Sequence, residues 1–487
     1  MKLEELSAIE LGQRVNSKQI KPIEVIDYFA NRIERRNSSI NAFVYTKIEE
    51  AMEAAKLLES RLIQGIYCGP LAGVPVALKD FLPSKKGWTA SHGGVKSLIT
   101  TDSKDSEFCK AAEQLGAIVI GKTNAPSFGF RATTDNKMYG PTSTPFNTEY
   151  NSGGSSGGSC AAVADGLVYL AEQGDAGGSG RVPAAWCGVF GYKPSAGIVP
   201  SVCRPDAWTA THPYCCGGPA SRTVDDAALI MQSMQHYNPR DPLSVPIGSV
   251  NWNSRHARRL KIGYTLDFNL FPVPEPQIVT GILKVVDMLK SAGCKVDEVK
   301  FNFKCTKQEC EEAWLRGICI DTAIDAELWK VRKGYDLAGE HADEVPEAFI
   351  KWNDIAIKSN MMDYRKFHEV RTQILDAHQD VFDNYDVIIA PVTGCFPTKN
   401  SNDGETKGPE YINGVKVDPL IGFAYTYLEN MIGTPAASVP CGIGSNGLPI
   451  GVQIIGQRYF DTDVFAVARE IEENMPWNYN IPFNRCV

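Results

Sequence analysis

Two glycine-serine runs lie close together in this chain, Gly153-Gly-Ser-Ser-Gly-Gly-Ser159 and Gly174-Asp-Ala-Gly-Gly-Ser-Gly-Arg181. Glycine at this density permits sharp turns and close approach by other groups, and it leaves several backbone N–H groups unshielded. A flexible Gly-Ser linker would separate domains. These runs instead sit between Tyr139 and Tyr192, among strand-like and small-residue helical segments. Neither continues as Gly-Lys-Ser/Thr, and neither matches a dinucleotide fingerprint following a strand, which argues against a phosphate cradle. Loops of this kind suit an oxyanion hole, where fixed N–H donors meet charge that develops on a tetrahedral intermediate.

The surrounding pattern supplies a rigid scaffold. Leu11, Val15, Ile20, Ile26, Phe29 and Ile33 recur at helical spacing, so residues 1–60 read as an N-terminal helical layer. From Ala72-Gly-Val-Pro-Val-Ala-Leu-Lys79 onward, short apolar strands alternate with helices. The period of two there puts Pro75, Ala77 and Lys79 on one face and Val74, Val76 and Leu78 on the other. A helix near Ser106–Leu115 leads into a strand over Gly116–Asn124, a strand-helix-strand unit that predicts a mostly parallel sheet. Cys160–Glu172 reads as a short helix, and Thr223 with Asp226 as a capping box opening a helix over Ala227–Met234. Residues 240–380 are more charged and helical, and read as a segment covering the site. Sheet texture returns at Tyr385–Val392, Pro435–Cys441 and Leu448–Gly456, so the core is expected to draw on both ends of the chain.

Bulk properties exclude several classes of function. With 49 basic against 57 acidic residues and no basic block, the chain lacks the electrostatic footprint of a nucleic-acid binder. Met1–Glu10 has no apolar signal-peptide core, and no run reaches the ~18 apolar residues of a spanning helix, so the expected location is cytoplasmic, without membrane association. The 14 cysteines are scattered, with only Cys215 and Cys216 adjacent, and suggest neither a zinc site nor a disulfide framework.

A serine nucleophile needs a base. None of the seven histidines, His92, His212, His236, His256, His341, His368 and His378, sits in a nucleophile-elbow or metal-ligand spacing. A lysine buried at a strand end loses its charge by desolvation and can then accept a proton. Lys79 is placed for that role, although a strand-end lysine reaching solvent has the same spacing.

Gly73-Val-Pro-Val-Ala-Leu-Lys-Asp80, the run from Gly153, and Asp175-Ala-Gly-Gly-Ser-Gly-Arg-Val-Pro-Ala184 with Cys187-Gly-Val-Phe-Gly-Tyr-Lys-Pro194 closely resemble the amidase signature family, in the family's order. Gly121-Lys-Thr-Asn124, Gly218–Thr223, Gly433–Pro440 and Gly447–Gln453 add to the resemblance, which is strong over about residues 65–235 and 380–475. It implies an α/β fold, a single large domain with a central mixed β-sheet flanked by helices, the catalytic part spanning 61–487. It implies Ser179 as nucleophile, Ser155 as bridging serine after a cis Gly154–Ser155 peptide, and Lys79 as base. The N–H groups of Ala176, Gly177 and Gly178 would form the oxyanion hole and Ser156 would support the network; Asp175 with Arg181 reads as an ion pair bracing the loop, with a direct catalytic role as the alternative. Ala176 replaces a common threonine and Gly180 a branched apolar residue, changes that bear on the pocket beside the acyl group.

The implied activity is hydrolysis of a small-molecule amide through an acyl-enzyme, with no metal or organic cofactor. Two alternatives stand beside it: the glutaminase-like subunit of an aminoacyl-tRNA amidotransferase, and a non-catalytic binding protein on the same fold. Intact Lys79, Ser155 and Ser179 argue against the latter. Candidate pocket residues are Met138, Tyr139, Cys215, Cys216, Cys319 and Tyr425 or Tyr427, each equally compatible with core packing. The sequence leaves a homodimer open.

Overall fold

The computed structural model describes residues 2–82, 84–248 and 250–477. Its centre is a mixed sheet of eleven strands. In chain order these are β1 (Phe43–Thr46), β2 (Pro75–Lys79), β3 (Ile118–Thr123), β4 (Leu170–Asp175), β5 (Phe190–Lys193), β6 (Cys216–Ser221), β7 (Lys261–Tyr264), β8 (Lys295–Glu298), β9 (Val387–Pro391), β10 (Ala436–Ile443) and β11 (Pro449–Gly456). Across the sheet they run β1-β3-β2-β4-β6-β5-β10-β11-β9-β7-β8. β2 is parallel to both β3 and β4, and β7 to both β8 and β9, whereas the middle of the sheet is antiparallel.

Helices cover both faces, so inner strands such as β9 and β11 are buried along their whole length and read as near-continuous apolar runs. The period of two is visible in their partners. Val74, Val76 and Leu78 pack with Phe108 and Val224 in one core, and Ala77 faces the other way, among Cys160–Ala164 and Ala184. Val387 and Ile389 split in the same manner from Ile388 and Ala390.

Local signals set many helix ends. α1 (Ala8–Asn16) starts at a Ser7–Glu10 capping box, and α4 (Glu107–Gln114) is capped by Ser106. Helices α2 (Pro22–Ile40) and α3 (Ile48–Ile63) complete the N-terminal layer, which also contributes β1 as an antiparallel edge strand beside β3. The expected helix over Cys160–Glu172 is corrected. α5 spans Gly157–Ala164, Gly166 turns the chain at φ 65°, and Leu170 already begins β4.

α6 (Arg181–Cys187) is followed by α7 (Val224–Met234), where Thr223 caps the N–H of Asp226. The reciprocal half of the expected box is absent: the Asp226 carboxylate accepts from the N–H groups of Ala8 and Ile9, joining the first helix to the seventh.

Residues 240–380 are only partly the helical cover that the sequence suggested. They supply β7, α8 (Pro276–Ser291) and β8 to the sheet before α9 (Lys307–Lys333), α10 (Glu347–Lys358) and α11 (Met361–Phe382) form the helical part. α12 (Tyr427–Ile432) and α13 (Asp461–Asn474) complete the chain's helices among the described residues. No helix among the described residues is long and apolar enough to cross a membrane, and the described cysteines are all free.

Candidate active site

Lys79 ends β2, and β4, its parallel neighbour, ends at Asp175 and enters the loop that carries Ser179. The outer ends of parallel strands are where α/β sheets commonly bind ligands. Ser155 arrives from the loop before α5, and its peptide bond to Gly154 is cis, as the resemblance implied. Lys79 and Ser155 are buried, and Lys79 Nζ lies 2.7 Å from Ser155 Oγ in a hydrogen bond.

Burial pulls the Lys79 ammonium down from its ordinary value to about 8, against the opposing pull of Cys215, Glu172 and Asp175 nearby. The Phe81 ring centroid lies 5.3 Å from Nζ. Glu172, whose carboxylate accepts the Lys79 backbone N–H at 3.2 Å, is itself pushed up to about 7 by burial. Lys79 is thus an amine whose neutral form is accessible near neutral pH.

The loop bearing Ser179 is fastened from several sides. Ser156 donates its N–H to the Ser179 carbonyl at 2.9 Å and its hydroxyl to the Gly174 carbonyl at 3.3 Å, so it ties the two glycine-serine loops together. Asp175 and Arg181, both buried, form a bidentate pair with two N···O distances of 2.9 Å. Arg181 also donates to Glu429 at 3.1 Å, Gln453 at 2.5 Å and Asn430 at 2.6 Å. Burial alone would raise the Asp175 carboxyl, but Arg181 holds it well below the usual carboxylate range.

The expected oxyanion donors do not behave alike. Gly178 N–H donates to Asp175 Oδ1 at 2.8 Å, so it is engaged by the brace. Ala176, Gly177 and Ser179 keep N–H groups without a hydrogen-bond acceptor among the described residues. Gly178 adopts φ 116°, and a Cβ there would stand 1.9 Å from Thr426 Oγ1, two reasons for glycine at that position. Ser179 is partly exposed, and its Oγ has no hydrogen-bond partner among the described residues.

The pocket residues divide. Cys215 lies beside Lys79 and is pushed up to about 12 by burial, while Cys216 on β6 pairs in register with Asp175. Met138 is exposed on its loop, and the Tyr139 side chain is directed toward Ser91. Cys319 is buried within α9. Tyr425 is a core residue: it stacks on Phe271 at 4.4 Å and its hydroxyl donates to the Pro272 carbonyl.

An aromatic wall stands near Ser155 and the Ala176–Ser179 loop instead. A Cβ on Gly129 would come within 3.3 Å of Ser155 Oγ, and its neighbours Phe128 and Phe130 pack on Phe349 and Trp352 of α10. Trp314 of α9 lies 6.0 Å from Trp352 and 6.2 Å from Tyr427 of α12. Phe128, Phe130, Trp314 and Thr426 escape a reading of the sequence, because their approach to the site depends on tertiary packing.

A family model described as Amidase matches residues 24–465. This chain belongs to the amidase family. The amidase is 40% identical to a bacterial aryl acylamidase of the amidase signature enzymes, whose solved structure superposes with a TM-score of 0.95 over 99% of both chains. An acylamidase of Rhodococcus erythropolis is 28% identical to the amidase over 99% of this chain and 98% of that protein. A glutamyl-tRNA(Gln) amidotransferase subunit of Agathobacter rectalis is 30% identical over 97% of this chain and 94% of its own length.

Proposed function

We propose that this amidase is a self-contained serine hydrolase of aryl or acyl amides that works through Ser179, Ser155 and Lys79. The observation that carries the reading is the buried 2.7 Å contact between Lys79 Nζ and Ser155 Oγ beside the braced Ser179 loop. In the neutral state Lys79 Nζ accepts the Ser155 proton, Ser155 accepts the Ser179 proton, and Ser179 Oγ attacks the amide carbonyl. The Ser179–Ser155 link closes as substrate displaces water, since catalytic hydrogen bonds commonly tighten only in the substrate complex.

Charge developing on the carbonyl oxygen is met by the free N–H groups of the 176–179 loop. The proton returns through Ser155 to the leaving amine, and water attacking the acyl-enzyme by the same relay releases the acid. No step calls for a metal or organic cofactor, and the reaction fits a cytoplasmic enzyme acting on small molecules.

The aryl preference rests on the wall of Phe128, Phe130, Trp314 and Trp352 and on the similarity to the aryl acylamidase. Likeness to the amidotransferase chain favours a second reading, in which the same serine releases ammonia from glutamine for a partner chain. The purified chain, assayed alone on anilides and on glutamine, separates the two. Faster anilide cleavage and fluorophosphonate labelling of Ser179 are expected. An inert chain that gains glutaminase activity with a tRNA-binding partner would establish the second reading instead.

A further inference from the structure

The nucleophile loop contains two successive peptide planes that are held differently. Trp314 Nε1 donates to the Ala176 carbonyl at 3.1 Å, and Thr426 Oγ1 donates to the Gly177 carbonyl at 2.7 Å. In a trans peptide the C=O and the following N–H point in opposite directions, so holding one aims the other. The plane joining Gly177 to Gly178 is pinned at both ends, by Thr426 at its carbonyl and by Asp175 at its N–H.

The plane joining Ala176 to Gly177 is pinned only at its carbonyl, by Trp314. Its N–H has no acceptor among the described residues. The indole also lies close against Gly177, since a Cβ there would meet Trp314 at 2.6 Å. Glycine is the most pliant residue at a backbone hinge, and here it is left little freedom by the two flanking clamps.

We propose that Trp314 and Thr426 are positioning residues which, by clamping the carbonyls of Ala176 and Gly177, aim the Gly177 N–H at the developing oxyanion. The proposal rests on the serine-hydrolase reading above and adds to it a division of labour. Helix α9 and the entry to α12, remote in sequence from the nucleophile, set the direction of a donor that has no side chain of its own. Preorganisation of this kind counts in the transition state and little in substrate binding.

The test uses Trp314→Phe, which keeps an aromatic ring and removes the N–H, together with Thr426→Val and Thr426→Ser. On an anilide cleaved by the wild type, Trp314→Phe and Thr426→Val are expected to lose at least tenfold in kcat with KM within twofold. A trifluoromethyl ketone that forms a tetrahedral adduct on Ser179 should weaken by the same factor as kcat/KM falls. Thr426→Ser, which retains the hydroxyl, should recover most of the kcat lost in Thr426→Val. A Trp314→Phe kcat within twofold of wild type, a loss confined to KM with unchanged ketone affinity, or a Thr426→Ser variant as impaired as Thr426→Val would overturn the proposal. If Trp314→Phe does not fold, the two Thr426 variants decide it. A wild-type chain inert to every anilide would instead count against the serine-hydrolase reading.

Discussion

Replacing Lys79 by Met should make the protein more stable while removing its activity. Burial lowers the amine from 10.5 to about 8, so below pH 8 the fold holds a charge that water would solvate better. At about 1.4 kcal/mol per tenfold change in the proton equilibrium, keeping Lys79 protonated costs about 3 kcal/mol. Loss of the hydrogen bond to Ser155 offsets about 1 kcal/mol of that gain. A net stabilisation of about 2 kcal/mol at pH 7 remains.

The sign with pH follows from proton counting. Between pH 8 and 10.5 the unfolded chain binds a proton at Lys79 that the native chain does not, so wild-type stability rises with pH across that window. The advantage of Lys79→Met is therefore full below pH 8 and gone near pH 10.5. For a chain of this length the entropy of unfolding near 60 °C is roughly 1 kcal/mol per degree, so Tm should rise by about 2 °C at pH 7. Differential scanning calorimetry of both proteins from about pH 6.5 to 10.5, read as the difference in Tm, measures it. A variant less stable than wild type at pH 7, or a difference that does not change with pH, would refute a lysine whose proton affinity is lowered by burial.

Other outcomes follow from the same site. kcat/KM of the wild type should climb nearly tenfold per pH unit at acidic pH and level off above about 8, as the neutral form of Lys79 fills; a pH-rate profile checks this. Lys79→Arg should lose nearly all activity at every pH, since a guanidinium does not release its proton, as steady-state assays would register. Ser179→Ala should give no turnover and no fluorophosphonate label by mass spectrometry, with an unchanged circular dichroism spectrum. Asp175→Asn should destabilise the fold by about 3 kcal/mol or more, because Arg181 then keeps a buried charge with its bidentate partner gone; denaturant melts would register the loss.

Much of the scaffold is legible in the sequence because its signals are local. The period of two around Val76 and Leu78 places Lys79 at a strand end, and the helix expected from about Ser106 runs over Glu107–Gln114. Asp175 and Arg181 stand six residues apart across one loop, close enough for their pairing to be read from the sequence. Failures come where tertiary context overrides local pattern. Ala161–Val163 and Leu167–Leu170 form one apolar stretch, yet Gly166 divides it into a helix and a strand. Lys261–Tyr264 and Lys295–Glu298 are four-residue strands with exposed charges, too short and too polar to signal a place in the sheet. Trp314 and Thr426 reach the nucleophile loop from 138 and 249 residues away, a distance that no periodicity encodes. Gly178 is an expected oxyanion donor, but its N–H is taken by a carboxylate three residues earlier.

The brace on the nucleophile loop also has a timetable. Arg181 is complete only when Glu429, Asn430 and Gln453 have joined it, and these lie 248, 249 and 272 residues further along. At roughly 5–20 residues per second, a ribosome that has just made Ser179 needs on the order of 15 to 50 seconds to supply the last of them. Throughout that interval Ser179, Ser155 and Lys79 all exist as chain, while the buried Arg181 guanidinium that braces their loop lacks at least one, and for most of the time three, of its four partner residues. A nascent or prematurely terminated chain ending before Gln453 therefore carries Lys79, Ser155 and Ser179 without the full brace on their loop, and on the proposed mechanism activity is expected only of molecules whose synthesis has been carried through the eleventh strand.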